Sequence, residues 1–438
     1  MTEWLPMAVL IAGLMLGLLS GFPMAFTLAG TSVIAAVIFL GPDSLGFVAT
    51  NIFGMMSNMI LIAMPLFIFM ACVLEKSDVA HDMYAFIHQV LGPLRGGLAM
   101  GTVFICAVIA AMSGVSTTGV VTMGIIALPI MLQQRYNKSI AIGPILAGGA
   151  LGLLIPPSVS LIIYAMIARV SIGRLFAGAI VPGLVLVFGY VAYIGIRSFL
   201  QPNLAPALPV EERLPWRQKL ALGKGLILPV LIIIAVLGSI FKGIASPTEA
   251  AAVGAGGALI SAFLNGKLNW QMLKESCYRT MGINGMIMWI LFGATCFTSV
   301  FFRTGGQTII SDMMLGIENP IYIFGIILLT LIVLGFFLDE ITQIMITVPV
   351  FLPIIVQLGY DPVWFGVLFM TQVQMDYLTP PFGFTLFYLK GVAPPEVSMG
   401  DIYRSILPFL LIQLTVVILI LLFPQIVLWL PDNVFGIR

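Results

Sequence analysis

Two polar patches interrupt a strongly apolar chain, and both place oxygen donors beside backbone breaks. The first holds Ser113, Gly114, Val115, Ser116, Thr117 and Thr118, then Ile155, Pro156, Pro157 and Ser158, then Tyr164. The second holds Asp339, Glu340 and Thr342, then Thr379, Pro380 and Pro381, then Tyr388. Proline has no N–H and clashes with the preceding turn, so each double proline breaks a helix and frees carbonyl oxygens. In lipid, such a break survives only where it is buried in protein or lines a cavity. Hydroxyls and freed carbonyls can coordinate a hard cation, and helix N-termini facing the same point favour an anionic group. Bonding of the hydroxyls back to helix carbonyls is the plainer alternative.

Asp339 and Glu340 lie within an apolar run, where ionisable side chains are costly and default to function. Asp339 could neutralise a bound cation, unless both acids simply reach the interface. Asp376, four residues before Pro380, is equally deep and could be a cation ligand, a proton carrier or a structural partner. Glu249, in Ser246-Pro247-Thr248-Glu249, reads as a helix start. Gly13, Gly17 and Gly21 form a small-residue stripe suited to helix packing.

The elements that position these patches follow from composition. Of 438 residues, 60% are hydrophobic and 8% charged, where soluble domains carry roughly 25% charged. The chain is a polytopic helical membrane protein. Its net charge of +1 offers no basic surface for nucleic acid. Cys72, Cys106, Cys277 and Cys296 lie in apolar runs without metal-ligand spacing and read as buried, inert thiols. His81 and His88 share a helix face in a polar connector and read as surface residues. No P-loop and no nucleophile–base set is present, so an enzyme is not expected.

Apolar runs occur at about 4–20, 23–40, 55–75, 98–133, 139–168, 175–198, 226–241, 245–265, 282–301, 321–358, 362–390 and 403–430. The first lacks a basic leader and a cleavage site, so it reads as a retained helix. A crossing needs about 20 residues. The runs 98–133 and 321–358 are too long for one crossing, and each has its polar tip in the middle. Both read as re-entrant hairpins, which leaves five crossings per half. The runs 139–168 and 362–390 read as discontinuous helices. The stretches 76–94 and 303–318 read as short interfacial arms.

Placing the N-terminus on one side puts fourteen Lys and Arg residues on the other, from Lys76 to Arg404 and including Arg279, and leaves five on the first. The richer side is cytoplasmic by the positive-inside rule. Both termini are therefore expected outside. The first hairpin then opens from the cytoplasm and the second from the exterior.

A shift of 224 residues lays Pro23 on Pro247, Pro129 on Pro353, Pro156 on Pro380 and Pro157 on Pro381. Tyr136/Tyr360, Tyr164/Tyr388, Gly30/Gly254 and Thr118/Thr342 also coincide. An odd number of crossings per half makes the halves inverted repeats. The expected division is a first repeat over 1–200, a proline-rich cytoplasmic connector over 201–224 and a second repeat over 225–438.

The segments Gly152-Leu153-Leu154-Ile155-Pro156-Pro157-Ser158, Phe337-Leu338-Asp339, Thr379-Pro380-Pro381 and Gly391-Val392-Ala393-Pro394-Pro395-Glu396 resemble the large membrane subunit of TRAP (tripartite ATP-independent periplasmic) transporters, as does Ser246-Pro247-Thr248-Glu249-Ala250-Ala251-Ala252. The resemblance spans nearly the whole chain. It implies an all-α ion-transporter fold with a scaffold and a moving, elevator-type transport domain. It implies Na+-coupled uptake of organic acids across a bacterial inner membrane. A small four-helix membrane subunit and a periplasmic substrate-binding protein would be partners. Carried over by position, one Na+ would lie among Ser113, Gly114, Ser116, Thr117, Ile155, Pro156 and Ser158. A second would lie among Asp339, Thr342, Asp376, Thr379 and Pro380. Substrate would lie between the tips, near Ser116, Thr117, Thr118, Ser158, Glu340 and Thr379. A stand-alone dicarboxylate or citrate carrier of related fold, needing no binding protein, is the competing expectation.

Overall fold

A computed structural model describes residues 4–77, 79–114, 116–380 and 383–436. Val115, Pro381, Arg438 and the Lys224 side chain, which entered the motif and charge readings, lie outside the described residues. The described chain is helical throughout.

Both polar tips form helical hairpins. The first has arms Gly97–Ser113 and Ser116–Gln133. Gly114 ends the first arm in the left-handed region at φ 62, and its N–H donates to the Ala110 carbonyl at 2.8 Å. Glycine enters that region without steric cost, so it closes the helix here. The second hairpin has arms Pro320–Gly335 and Glu340–Gln357. Asn319 caps its entry by accepting the Ile321 N–H at 3.0 Å. Asp339 is the N-cap of the returning arm, where an acid meets the positive end of the helix dipole. Under the 224-residue shift the arms Ser116–Gln133 and Glu340–Gln357 coincide end to end.

Each hairpin leads into a broken helix. The first comprises Lys138–Ala150, a 3-10 turn Leu151–Leu153, and Val159–Ala168. The second comprises Pro362–Asp376 and Phe384–Val392. Their starts are tied crosswise to the helices that follow the opposite break. Lys138 pairs with Asp401 of Met399–Leu422 at 2.8 Å, and Arg174 of Ile172–Leu200 pairs with Asp361 at 3.4 Å. The Tyr164 hydroxyl, from the first broken helix, donates to the Pro362 carbonyl of the second at 2.7 Å. The two hairpin-and-break units are thus joined as one body.

The remaining helices form a scaffold in which the halves interlock. Ala63–Lys76 packs on Pro247–Leu264, and Met24–Leu40 packs on Trp270–Arg303. Gly13 and Gly17 pack against Thr31 and Thr27, as the stripe suggests. Ser246 and Glu249 form a reciprocal capping box at the start of Pro247–Leu264. The arms Val79–Leu91 and Gly306–Leu315 are helical. His88, on the first, is half-buried rather than at the surface as expected: it lies 3.0 Å from Gln134, and burial holds its ring below the ordinary histidine range. The connector is bound to this arm, with the Leu208 N–H donating to the Gly92 carbonyl at 2.7 Å.

Four further features differ from those expected of the sequence. The run 55–75 begins earlier, as a separate helix Ser44–Met56 followed by a turn capped at Asn58. The run 282–301 is part of a 34-residue helix, Trp270–Arg303, so Arg279 is helical rather than in a loop. The run 403–430 divides at Pro424 into Met399–Leu422 and Gln425–Phe435, where proline brings no N–H to the helix ladder. Cys277 is exposed, unlike the other three cysteines. Seven helices among the described residues are long and apolar enough to cross a membrane by themselves, two of them hairpin arms, so length alone does not separate arms from crossings.

Candidate functional site

The two hairpin tips meet at one cavity of about 790 Å³. Ser113, Ser116, Thr117 and Thr118 line it from the first tip, and Asp339, Glu340 and Ile341 from the second. Tyr377, Phe384 and Tyr388 flank the second break and close one wall. The scaffold supplies the opposite wall through Met24, Phe26, Ile68, Glu75, Arg279 and Trp289, among others. The wall is mostly apolar with a few convergent polar groups, the usual build of a small-molecule site. Three carboxylates and one basic side chain are among the lining residues.

At the first site, tip and break touch. The Val159 N–H donates to the Gly114 carbonyl at 3.4 Å, and a Cβ placed on Gly114 would lie 2.7 Å from the Pro157 carbonyl oxygen. The backbone therefore approaches too closely for any side chain there. Ser158 is fully buried and donates to the Leu153 carbonyl at 2.9 Å. The Leu154 N–H closes the 3-10 turn on the Leu151 carbonyl at 3.0 Å, and the Ile155 N–H donates to the same carbonyl at 2.8 Å. The peptide between Pro156 and Pro157 is cis. Ser113 and Ser116, both buried, are shared between this junction and the cavity.

At the second site, the Glu340 N–H donates to the Tyr377 hydroxyl at 3.2 Å, which joins tip to break. The Thr342 hydroxyl donates to the Asp339 carboxylate. Thr379 donates to the Met375 carbonyl at 2.7 Å, and the Thr385 hydroxyl bridges the break to the Tyr377 carbonyl at 2.6 Å. Asp376 stands apart. Its carboxylate accepts from Gln372 Nε2 at 2.9 Å and from Gln343 Nε2 at 3.4 Å, and it packs against Gly335.

Of the residues marked from sequence, Ser113, Ser116, Thr117, Thr118, Asp339 and Glu340 line the cavity. Gly114, Ile155, Pro156, Ser158, Thr342, Thr379, Pro380 and Asp376 are not among the described residues that line it. The sequence reading did not mark Glu75, Arg279, Tyr377 or Trp289. Glu75 and Arg279 are distant in the chain yet pair at 2.7 Å. Only the scaffold packing brings them together. Tyr377 did carry a signal, since it precedes the double proline by three residues.

Paired hairpins and broken helices around one cavity define a multi-pass membrane-transporter fold. The YdaH transporter of Alcanivorax borkumensis shares it, with a TM-score of 0.64 at 14% identity over 96% of this chain and 98% of that one. MtrF of Neisseria gonorrhoeae, described as an antimetabolite efflux pump, gives 0.63 at 14% identity over 98% and 97%. The chain belongs to the family of the tripartite ATP-independent periplasmic transporter DctM component, whose sequence profile matches residues 11–426. It is 31% identical to the C4-dicarboxylate TRAP large permease protein of Pseudomonas aeruginosa over 92% of this chain and 93% of the relative. It is 30% identical to the ectoine TRAP large permease of Halomonas elongata over 98% and 100%. It is 28% identical to the sialic acid TRAP large permease of Vibrio cholerae over 96% and 97%.

Proposed function

We propose that this chain is the large permease subunit of a Na+-coupled, binding-protein-dependent importer of a small organic acid. The observation that carries the reading is the convergence of both hairpin tips on one cavity. A carboxylate entering a space bordered by Glu75, Asp339, Glu340 and one arginine meets a net negative wall. A co-bound cation offsets that repulsion, which is the physical sense of symport here. The oxygen donors at the two tip-and-break junctions suit Na+. The first set is neutral, and the second contributes the charge of Asp339.

Movement follows from the packing. The two broken helices are joined directly by Tyr164–Pro362, and each is held by an ion pair, Lys138–Asp401 or Arg174–Asp361, to the helix that follows the other break. The cavity lies between this body and the scaffold, so sliding one past the other carries the site across the membrane. The halves divide as 1–200 and 225–438, with 201–224 as connector. In this reading the chain crosses a bacterial inner membrane ten times with both termini periplasmic, and the ion pairs support the sorting of its loops onto two sides. The ion pairs among the described residues, such as Lys76–Glu275 and Arg174–Asp432, join residues assigned by loop charge to the same side. The partners are a small four-helix membrane subunit and a periplasmic binding protein. The relatives' C4-dicarboxylate, sialic acid and ectoine specificities frame the candidate substrates.

The test is uptake into proteoliposomes with and without Na+, the binding protein and the small subunit. The expected result is uptake that needs all three. Undiminished uptake without the binding protein sinks the tripartite reading in favour of a stand-alone carrier. Cysteines placed at Arg135 and Asp361 are expected to label from opposite faces, and labelling from one face would break the topology.

A further inference from the structure

We infer that Arg279 is the scaffold's carboxylate-binding residue, and that Glu75 competes with the substrate for it. The inference rests on the organic-acid reading above and deepens it. Arg279 is the one basic side chain among the described residues that line the cavity. Its Nη1 donates to Glu75 Oε1 at 2.7 Å, and both side chains remain partly open, at 43% and 28% exposure. A guanidinium presents a planar fork that matches a carboxylate, and exchange of one carboxylate for another keeps that geometry.

An interhelical strut is the alternative role, and the internal repeat argues against it. The 224-residue shift places Arg279 on Met55, Glu75 on Ser299 and Glu275 on Asn51. The repeat-related place is taken by Met55 and Ser299, and one turn from Met55 it is Asn51 Nδ2 that donates to Ser299 Oγ at 2.9 Å, with no charge. The same helix crossing is therefore held by neutral groups in one copy. The charged version occurs in the copy that borders the cavity. Lys76 and Glu275, adjacent on the same two helices, already form a separate pair at 2.6 Å. Helix attachment does not require Arg279.

The two roles predict different signs. With substrate present, its carboxylate takes the guanidinium and Glu75 is released. With substrate gone, Glu75 reclaims it, which prevents an unpaired arginine from holding the product. Loss of Glu75 should then tighten substrate binding and slow turnover, whereas loss of a strut weakens both.

The experiment measures equilibrium binding in Na+ to the complete purified transporter, read by intrinsic tryptophan fluorescence, to which Trp289 in the cavity wall contributes, with succinate and sialic acid as probes and ectoine as a zwitterionic comparison. Arg279→Met imports the residue the first half uses at that place, so the fold is expected to hold, checked by an unchanged unfolding temperature. Arg279→Met should raise the dissociation constant for the bound probe about tenfold or more, as loss of a charge-assisted hydrogen bond does. Arg279→Lys should recover part of it. Glu75→Gln should lower the dissociation constant and the maximal uptake rate together. Arg279→Met binding like wild type, or Glu75→Gln weakening binding as Arg279→Met does, overturns the inference alone. Wild type that binds none of the probes overturns the organic-acid reading and this inference with it.

Discussion

The first hairpin tip turns on a glycine and the second on a carboxylate, although both occupy the same place in the repeat. Gly114 corresponds to Leu338, and its tip is lined with neutral hydroxyls. The second tip offers Asp339 and Glu340. The contrast continues behind the tips. Gly119 and Gly149 bring the first hairpin and first broken helix into backbone contact, a Cβ on Gly119 falling 3.1 Å from the Gly149 Cα. Their counterparts are Gln343 and Val373, and Gln343 reaches across to the Leu331 carbonyl at 2.7 Å and to Asp376. One unit is close-packed through glycine; the other is spaced by hydrogen-bonded polar side chains. The same fold therefore carries one rigid neutral junction and one charged, polar one. The cation sites proposed above would then differ in charge, with the acid supplied once.

The comparison can be broken most forcefully at Gly114. Gly114→Ala adds a Cβ that collides with the Pro157 carbonyl at a positive φ. It should destabilise the protein by about 1–3 kcal/mol, the typical cost of forced backbone strain, and abolish uptake. A wild-type unfolding temperature would show that the first junction tolerates a side chain after all. Next in size is the carboxylate. Asp339→Ala should raise the Na+ concentration for half-maximal uptake by about tenfold, a loss of about 1.4 kcal/mol. Asp376→Ala should move it far less, since Gln372 and Gln343 hold that group behind the cavity. Equal Na+ curves for wild type and Asp339→Ala would remove the charged site from the second tip.

The tyrosine pair gives a finer test. Tyr164 is fully buried and bonded to Pro362, while its counterpart Tyr388 is 41% exposed and lines the cavity. Tyr164→Phe should cost about 1 kcal/mol of stability, the net value of one hydrogen bond, with binding little changed. Tyr388→Phe should leave the unfolding temperature unchanged and shift substrate binding slightly. A reversal of these two effects would mean that the repeats share one role at this position. Smallest of all, Tyr377→Phe removes the acceptor for the Glu340 N–H and should weaken the second junction by no more than about 1 kcal/mol.

Much of this architecture is legible in the chain because its signals are local. Double prolines break helices wherever they fall, glycine permits a tight turn, and Asn319 or Ser246 begins a helix through its own side chain. The hairpin arms and the two breaks were visible for that reason. The division of 403–430 at Pro424 was equally local and was hidden by hydrophobicity on both sides. Asp376 is different. Sequence shows a deep carboxylate, but which groups receive it depends on how the second hairpin packs on the broken helix. Arg279 is the strongest case. Its neighbours Lys274 and Glu275 suggest a solvated loop, and only the long helix and its crossing with Ala63–Lys76 turn it toward the cavity.

By itself, then, the sequence determined a membrane chain built twice from one unit, with oxygen donors at each turn and break. Composition, proline and glycine act over a few residues, so their consequences need no knowledge of the fold. The tertiary structure alone decided that both tips face one cavity, that Asp376 lies behind it, and that Glu75 and Arg279 border it together. Those facts depend on contacts between segments hundreds of residues apart, which side-chain packing sets and local propensity does not encode.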